Sequence, residues 1–263
     1  MKSVEESVVV TAMDGSDPAL FHYLPYILQD SWELGSDPKA LVAVVKKYAP
    51  ARECLSVLDL GCGKGAVSVL IAKETGAHCH GIDAVPDFIC TADEMAKKHA
   101  VADLCKFEVG DIRVVLSSLS RYDVIILGSI GQVLGEPRTA FLQLKEHITD
   151  DGIIIYDDGY MDDDSEFQHE LILKKSEVFR QLEQAGMKVV DEVFSEHDDL
   201  SENQESLQDN LIKRCRELIV QYPEQKSLFE DYIKKQEDEV DVLVNKTVCA
   251  TMILKKSPAD HES

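Results

Sequence analysis

Basic residues are scarce in this chain, which has 27 lysines and arginines against 49 aspartates and glutamates and a formal net charge of −22. It shows no cluster of Lys and Arg with interleaved aromatic residues, and a protein this acidic repels a phosphate backbone. We therefore expect neither nucleic acid nor an anionic membrane as a partner. Long apolar runs are also missing, since none approaches the roughly 18 residues of a membrane span.

Paired cysteines and a targeting sequence are further absences. The seven cysteines are scattered and odd in number, which suits reduced thiols better than a disulfide framework or a zinc site. The first residues include acids and lack the apolar core of a signal peptide. These features predict a cytoplasmic protein without a metal site. At 263 residues the chain is long enough for one α/β domain and an elaboration.

A glycine-rich turn between a predicted strand and a predicted helix is the most informative segment. Asp59 lies at the end of an apolar run, Gly61, Gly63 and Gly65 follow, and a helical pattern begins at Ala66. Glycine lets backbone approach a nucleotide without a Cβ, and a helix N-terminus points free N–H groups at it. The segment resembles motif I of the class I S-adenosylmethionine (SAM) methyltransferases. It also fits the dinucleotide fingerprint G-x-G-x-x-G/A, or a plain connecting turn, so these alternatives remain.

Three later segments extend the resemblance. The second predicted strand ends at Asp83, where a carboxylate can accept hydrogen bonds from both ribose hydroxyls in either nucleotide family. Asp111 and Ile112 match a methyltransferase motif that follows the third strand. The resemblance implies that Asp111 accepts a hydrogen bond from the adenine amino group and that Ile112 packs on the ring. Asp111 also fits an N-cap of a helix over 112–119. The strand that ends at Leu127 and Gly128 resembles motif II.

These four segments lie in the family's order between residues 57 and 131, so the chain is identified as a member of this methyltransferase family. The resemblance implies SAM as the cofactor and S-adenosylhomocysteine as its product. The predicted cofactor-binding residues are Asp59, Gly61, Cys62, Gly63, Asp83, Ala84, Asp111, Ile112, Leu127 and Gly128. Cys62 is interpreted as a small packing residue of the loop.

Strand and helix patterns alternate from residue 54 onward, which predicts an α/β fold with parallel strands and helices on both faces. The predicted strands lie near 54–60, 77–83, 104–109, 122–128, 151–157, 187–194 and 246–255. The predicted helices lie near 64–75, 86–100, 137–147 and 168–185. The resemblance implies a Rossmann-like, seven-stranded and mostly parallel sheet with an antiparallel final hairpin. Asp59, Asp83 and Asp111 then all lie at carboxyl ends of strands, where such sheets bind ligands.

Two segments lie outside this core, which is assigned to residues 54–195 and 244–257. Residues 1–53 are predicted to form an N-terminal helical cap. Helical periodicity over 196–243 predicts a two-helix hairpin before the last strand, interpreted as a lid, with a dimer surface as the alternative. Residues 258–263 are predicted to be a disordered tail. The chain is compatible with a monomer or a homodimer.

Catalytic residues are not identifiable from the sequence. Methyl transfer can depend on alignment alone, and a general base is needed only if the acceptor arrives protonated. The weak candidates are Asp157, Asp158 and Tyr160 after the fifth strand, and His197 before the hairpin. Compared with catechol-type O-methyltransferases, the fourth strand ends without their metal-binding acid, which predicts no metal.

The sequence therefore predicts methyl transfer from SAM to a small-molecule acceptor by in-line displacement. An NAD(P)-dependent oxidoreductase is one alternative, and it leaves Asp111 and Ile112 unexplained. A SAM-binding protein without turnover, which uses the acidic helical insertion to bind a partner protein, is another.

Overall fold

Seven strands form one sheet in this computed structural model, which describes residues 5–194 and 197–258. The strands are β1 (Ser56–Leu60), β2 (His78–Asp83), β3 (Cys105–Val109), β4 (Tyr122–Gly128), β5 (Ile148–Tyr160), β6 (Met187–Phe194) and β7 (Val248–Lys256). The helices are α1 (Glu6–Ala12), α2 (Leu24–Ile27), α3 (Pro38–Tyr48), α4 (Ala66–Thr75), α5 (Pro86–Lys98), α6 (Ile112–Val115), α7 (Pro137–Leu144), α8 (Lys175–Gln184), α9 (His197–Gln221) and α10 (Lys226–Asn245). The predicted tail falls outside the described residues beyond residue 258.

The strand order in the sheet is β3-β2-β1-β4-β5-β7-β6. Strands β1 to β5 pair in parallel, and β7 runs antiparallel to both β5 and β6. The predicted seven-stranded, mostly parallel sheet with one reversed strand is thereby confirmed. Because the strand order reverses between β1 and β4, the carboxyl ends of these two strands flank a crevice suited to a ligand.

Helices cover both faces of the sheet because its central strands are apolar on both sides. Successive side chains of a strand point to opposite faces. Leu58 and Ile125 accordingly pack in the cluster that includes α7 and α8. Val57 and Ile126 pack on the other face, in the cluster that includes α3 and α4. Each central strand therefore contributes to two cores.

Strand β5 is longer, and helix α8 shorter, than the sequence pattern predicts. β5 continues to Tyr160 because it remains paired with β7 as far as Val248. The helix predicted over 168–185 begins only at Lys175, so the prediction is wrong for residues 168–174. The backbone N–H of Met161 donates to Leu173, and that of Lys175 donates to Met161, each at 2.8 Å. These bonds hold the end of the segment extended, which is incompatible with an earlier helix start.

The N-terminal segment and the α9–α10 hairpin share a third apolar cluster. Val10 and Leu24 of the N-terminal segment pack in it with Leu211 of α9 and Phe229 of α10. Phe88 of α5 joins the same cluster, which places it beside the carboxyl end of β2. The helical hairpin thus packs on the N-terminal segment.

No helix in the described ranges, including the long α9 and α10, is apolar enough to cross a membrane.

A buried lysine fastens the N-terminal segment to the loop after β1. Lys64 is 5 % exposed, and its Nζ donates to the carbonyl oxygens of Leu28 and Ser31 at 2.5 and 2.6 Å. The indole Nε1 of Trp32 donates in turn to the carbonyl oxygen of Lys64 at 2.9 Å. Burial lowers the pKa of the Lys64 amine to about 8, so at pH 7 it stays protonated and donates. Three hydrogen bonds therefore join the two segments.

We expect Lys64→Ala to lower the free energy of unfolding by about 2–4 kcal/mol, because two buried carbonyl oxygens lose a charged donor. Urea denaturation followed by circular dichroism measures this change, and limited proteolysis should cut residues 24–36 faster in the variant. The control is Lys73→Ala, which removes an exposed lysine of α4 and should change stability by less than about 0.5 kcal/mol. Equal stability of the two variants would show that Lys64 does not fasten the segment.

Candidate functional site

A cavity lies at the carboxyl edge of the sheet, between β1, β2, β4 and the N-terminal segment. It encloses about 1070 Å³, including the part open to solvent, which matches the upper end of the roughly 300–1,000 Å³ of ligand pockets. The sheet side of its lining includes Asp59, Gly61, Cys62, Gly63, Asp83, Ala84, Gly110, Asp111, Ile112, Arg113, Ile126, Gly128, Ser129 and Ile130. The N-terminal segment contributes Glu5, Val8, Val9, Ala12, Met13, Trp32, Glu33, Leu34, Gly35 and Ser36.

The glycine-rich turn forms one wall of the cavity with bare backbone. Gly61 and Gly63 have φ values of +75° and +52°, in the left-handed region that glycine adopts without strain. A Cβ at Gly61 would come within 2.4 Å of the Cγ2 atom of Ile130. The turn therefore needs glycine both for its conformation and for the close approach of the β4–α7 loop.

Asp59 places a buried carboxylate at the bottom of the cavity. The side chain is 4 % exposed, and its Oδ2 accepts a hydrogen bond from the Ser68 hydroxyl at 2.6 Å. Burial raises the pKa of this carboxyl to about 6, and the nearby Asp83 charge adds to the effect. Negative charge is thus disfavoured here unless a cation lies close by.

Asp83 ties the end of β2 to the glycine-rich turn. Its Oδ2 accepts from the backbone N–H of Gly63 at 2.8 Å, and its Oδ1 accepts from that of Val85 at 2.9 Å. Each carboxylate oxygen can accept a further hydrogen bond. Burial raises the pKa of this carboxyl, while the two backbone donors oppose the shift. The carboxylate is therefore oriented by the fold and still able to accept from a ligand.

Asp111 caps helix α6 at the end of the β3 wall. Its Oδ1 accepts from the backbone N–H of Arg113 at 3.0 Å, so the predicted N-cap role is confirmed. The guanidinium of Arg113 also contacts both carboxylate oxygens and lowers the pKa of Asp111. Ile112 lines the cavity next to this acid. Sequence reasoning missed Arg113. The pattern that could have identified it is a basic residue two positions after an acid that caps a helix.

Leu127 is the one predicted cofactor-binding residue that the structure places elsewhere. It is 3 % exposed and packs in the core on the α7 side of the sheet. Because side chains alternate along a strand, its neighbours Ile126 and Gly128 line the cavity instead. A Cβ at Gly128 would meet the Ser36 hydroxyl at 2.5 Å, so the end of β4 needs glycine where the N-terminal segment crosses it.

The three candidates predicted to follow the fifth strand lie within β5 and separate onto two faces of the sheet. Asp157 accepts a hydrogen bond from the Thr251 hydroxyl at 2.5 Å. The hydroxyl of Ser36, a cavity-lining residue, acts to lower the pKa of the same carboxyl. Asp158 accepts instead from the backbone N–H of Gly159 at 2.7 Å, and the Tyr156 hydroxyl acts to lower its pKa. Burial raises the pKa of both carboxyls. Of these two acids, Asp157 is the one bonded to a cavity-lining residue, because its carbonyl oxygen accepts from the backbone N–H of Ser129 at 2.8 Å.

Tyr160 does not line the cavity wall, contrary to the prediction. It is 1 % exposed, its ring packs edge-on against Phe179, and its hydroxyl donates to Glu192 at 2.7 Å. The alternation of β5 places it on the same face as Asp158, away from Asp157. The side chain of His197 lies outside the described residues, so its candidacy stays a prediction.

The roof of the cavity is the main feature that sequence reasoning missed in detail. Helix α1 presents Val8, Val9 and Ala12 to the cavity, and Met13, directly after the helix, lines it as well. No described lining residue comes from α9 or α10, which pack behind the N-terminal segment instead. The described part of the hairpin therefore does not cover the cavity directly, as a lid would. It packs on the N-terminal segment, whose helix α1 covers the cavity.

The sequence is similar to those of known methyltransferases. The family described as "Methyltransferase domain" matches residues 52–211. Norajmaline N-methyltransferase of Rauvolfia serpentina is 36 % identical over 62 residues, which is 24 % of this chain and 21 % of that protein. Ribosomal protein L11 methyltransferase of Thermosipho melanesiensis is 32 % identical over 127 residues, 46 % of this chain and 44 % of that protein. The matched region thus spans less than half the length of these curated relatives.

Solved structures share the fold. A SAM-dependent methyltransferase from Thiobacillus denitrificans, in complex with S-adenosylhomocysteine, superposes with a TM-score of 0.70 at 19 % identity. The superposition covers 88 % of this chain and 96 % of that one. The family match favours the methyltransferase prediction over the oxidoreductase alternative. Since this match extends over residues 52–211 of the 263, the chain belongs to the methyltransferase-domain family, the class I SAM-dependent enzymes that its motifs resemble.

Proposed function

We propose that this chain transfers a methyl group from SAM to a small, largely apolar acceptor that carries no negative charge. The observation that carries the proposal is the division of one cavity into two unlike halves. Strand-end carboxylates and bare glycine backbone form the half on the sheet, and apolar side chains of α1 form the other. The first half suits a charged nucleoside, and the second suits an apolar molecule beside it.

The residues of the sheet half fit SAM by their chemistry. SAM supplies an activated methyl group on a positively charged sulfur. Asp59 would offset the positive charges of the methionine part, and Asp83 would accept hydrogen bonds from the ribose hydroxyls. Asp111 would accept from the adenine amino group, with Ile112 against the ring. Gly61 and Gly63 leave the space that side chains would fill.

The other half of the cavity suits a small apolar acceptor. Val8 and Val9 of α1 and the following Met13 line the cavity together with Ile130 and Val133 of the β4–α7 loop. Apolar walls with few polar groups are typical of small-molecule sites. The names of the relatives include both an N-methyltransferase of norajmaline and a methyltransferase of a ribosomal protein. A site roofed by a helix of the chain itself favours a small molecule over a folded protein.

The charges around the cavity favour an uncharged or cationic acceptor, such as an amine. The cations among the described lining residues are Lys64 and Arg113. The first donates to two backbone carbonyl oxygens, and the second is paired with Asp111 and Glu5. An anionic acceptor would therefore lie beside acids of the wall, and the two cations already have partners. Its contacts would not compensate for the loss of its hydration.

Asp157 is the group best placed to take a proton from a protonated acceptor. The Ser36 hydroxyl acts to lower the pKa of its carboxyl, and Ser36 lines the cavity. A proton could pass from the acceptor to the Ser36 oxygen while the Ser36 proton moves to Asp157. Burial raises the pKa of Asp157, which makes it a better proton acceptor than an exposed carboxylate.

We expect Asp83→Ala to weaken binding of S-adenosylhomocysteine by at least about tenfold, because each lost hydrogen bond to a charged group is worth about 1.5–3 kcal/mol. Isothermal titration calorimetry with S-adenosylhomocysteine, and with NADH as the competing ligand class, measures this effect. Asp87→Ala is the control, since it removes an exposed acid of α5 outside the cavity. Binding of NADH alone would contradict the proposed cofactor.

The affinity for SAM should fall as the pH is lowered from 7 to 5. The pKa of Asp59 is raised to about 6, so below that pH the carboxyl is protonated and no longer offsets the sulfonium charge. S-adenosylhomocysteine lacks that charge, so the ratio of the two dissociation constants should change about threefold or more in this range. Calorimetry at pH 5, 6 and 7 measures the ratio. In Asp59→Asn the ratio should be independent of pH, and an unchanged slope would contradict the assignment.

Protein loaded with S-adenosylhomocysteine should bind octylamine at least about tenfold more tightly than octanoate, because the two probes differ mainly in the sign of their charge. Calorimetry at pH 7.5 compares them directly. Equal or tighter binding of octanoate would contradict the proposed acceptor class. Failure of both probes to bind would contradict the assignment of the apolar half as an acceptor site.

A further inference from the structure

Arg113 joins the acid predicted to contact adenine to the helix that roofs the cavity. Its backbone N and Nε donate to Asp111 Oδ1 at 3.0 Å each, and its Nη2 donates to Asp111 Oδ2 at 2.6 Å. The same Nη2 donates to Glu5 Oε2 at 3.2 Å. Glu5 is the N-cap residue of α1. A single guanidinium therefore spans from the end of β3 to the first turn of the roof.

The contact with Asp111 orients its carboxylate without using all of its acceptor capacity. A guanidinium has a planar fork of donors that matches a carboxylate, so the pair has a defined geometry. Oδ2 accepts one hydrogen bond in this arrangement, and a carboxylate oxygen can accept two. A ligand amino group can thus bind Asp111 while Arg113 remains in place.

The contact with Glu5 is a weak and reversible attachment of α1. The Glu5 side chain is 62 % exposed, and exposed ion pairs change equilibria only about 1.4- to 5-fold. The opposite end of α1 is attached differently, where Gln236 of α10 donates to Asp14 Oδ2 at 3.2 Å and to the Met13 carbonyl oxygen at 3.3 Å. The end of α1 near Arg113 is therefore the one that a ligand at Asp111 can influence.

We propose that Arg113 is a positioning residue that couples cofactor binding to the docking of α1. It holds Asp111 toward the adenine, and through Glu5 it holds the roof over the bound cofactor. Binding of the cofactor immobilises Asp111 and Arg113, which strengthens the attachment of Glu5. The attachment in turn slows release of the cofactor. This inference rests on the proposed function, because it uses Asp111 as the adenine contact.

The test is a double-mutant cycle with S-adenosylhomocysteine as the probe, measured by calorimetry on the full chain. We expect Arg113→Gln to weaken binding about tenfold and Glu5→Gln about threefold. Because Glu5 acts only through Arg113, the double variant should bind within twofold of Arg113→Gln. Glu6→Gln is the matched control on the same helix, outside the cavity lining, and should bind like the unmodified protein.

Hydrogen exchange supplies a readout that a merely structural role would not change. S-adenosylhomocysteine should slow exchange of the α1 amides in the unmodified protein and in Glu6→Gln, and much less in Glu5→Gln. Arg113→Lys should restore part of the affinity lost in Arg113→Gln, since an ammonium can make one of the contacts with Asp111.

The outcomes separate this inference from the proposed function. Additive losses, about 30-fold in the double variant, or equal slowing of α1 exchange in Glu5→Gln, would overturn the coupling and leave the cofactor site intact. No binding of S-adenosylhomocysteine by the unmodified protein would overturn the proposed function, and the coupling with it.

Discussion

The buried ammonium of Lys64 is the interaction on which the shape of the cavity depends. It is part of the loop that follows β1, yet its hydrogen-bond partners belong to the N-terminal segment. The glycines before it and the first residues of the helix after it line the half of the cavity on the sheet. Because its side chain bonds to Leu28 and Ser31, the position of this part of the N-terminal segment is set by the loop that would receive the cofactor.

The acids of the cavity wall make the ligand-free site electrostatically unfavourable. The charge of Asp83 contributes to the raised pKa of Asp59, and burial raises the pKa of both carboxyls. Ser68 and two backbone N–H groups compensate them only in part. A cation bound next to these acids would stabilise their charged forms. The acids thus lower the stability of the ligand-free protein and increase the affinity for a cationic ligand.

The sheet and the ends of its strands could be predicted because they depend on local patterns. Asp59, Asp83 and Asp111 each lie at or just after the end of a strand, and the structure brings all three to one cavity. Leu127 and Tyr160 could not be placed in this way, because a one-residue difference along a strand changes the face, and only the sheet packing determines which face meets the cavity.

The roof could not be predicted in detail from its own pattern. The apolar side of α1 looks the same in sequence whether it packs on a core or lines a cavity, and contacts with α10 and Arg113 decide between the two. The extended segment before Lys175 likewise depends on a pairing with Met161 that is remote in sequence. Long-range contacts thus decide what local periodicity leaves open.

The position of the one tryptophan has an optical consequence. Trp32 lines the cavity, and its indole stacks on the His99 imidazole with ring centroids 5.2 Å apart and planes 18° apart. Its Nε1 donates to the carbonyl oxygen of Lys64, in the glycine-rich loop after β1. All indole fluorescence of the chain therefore originates where the N-terminal segment contacts the loop after β1. The emission spectrum of the unlabelled protein thus reports on that contact alone.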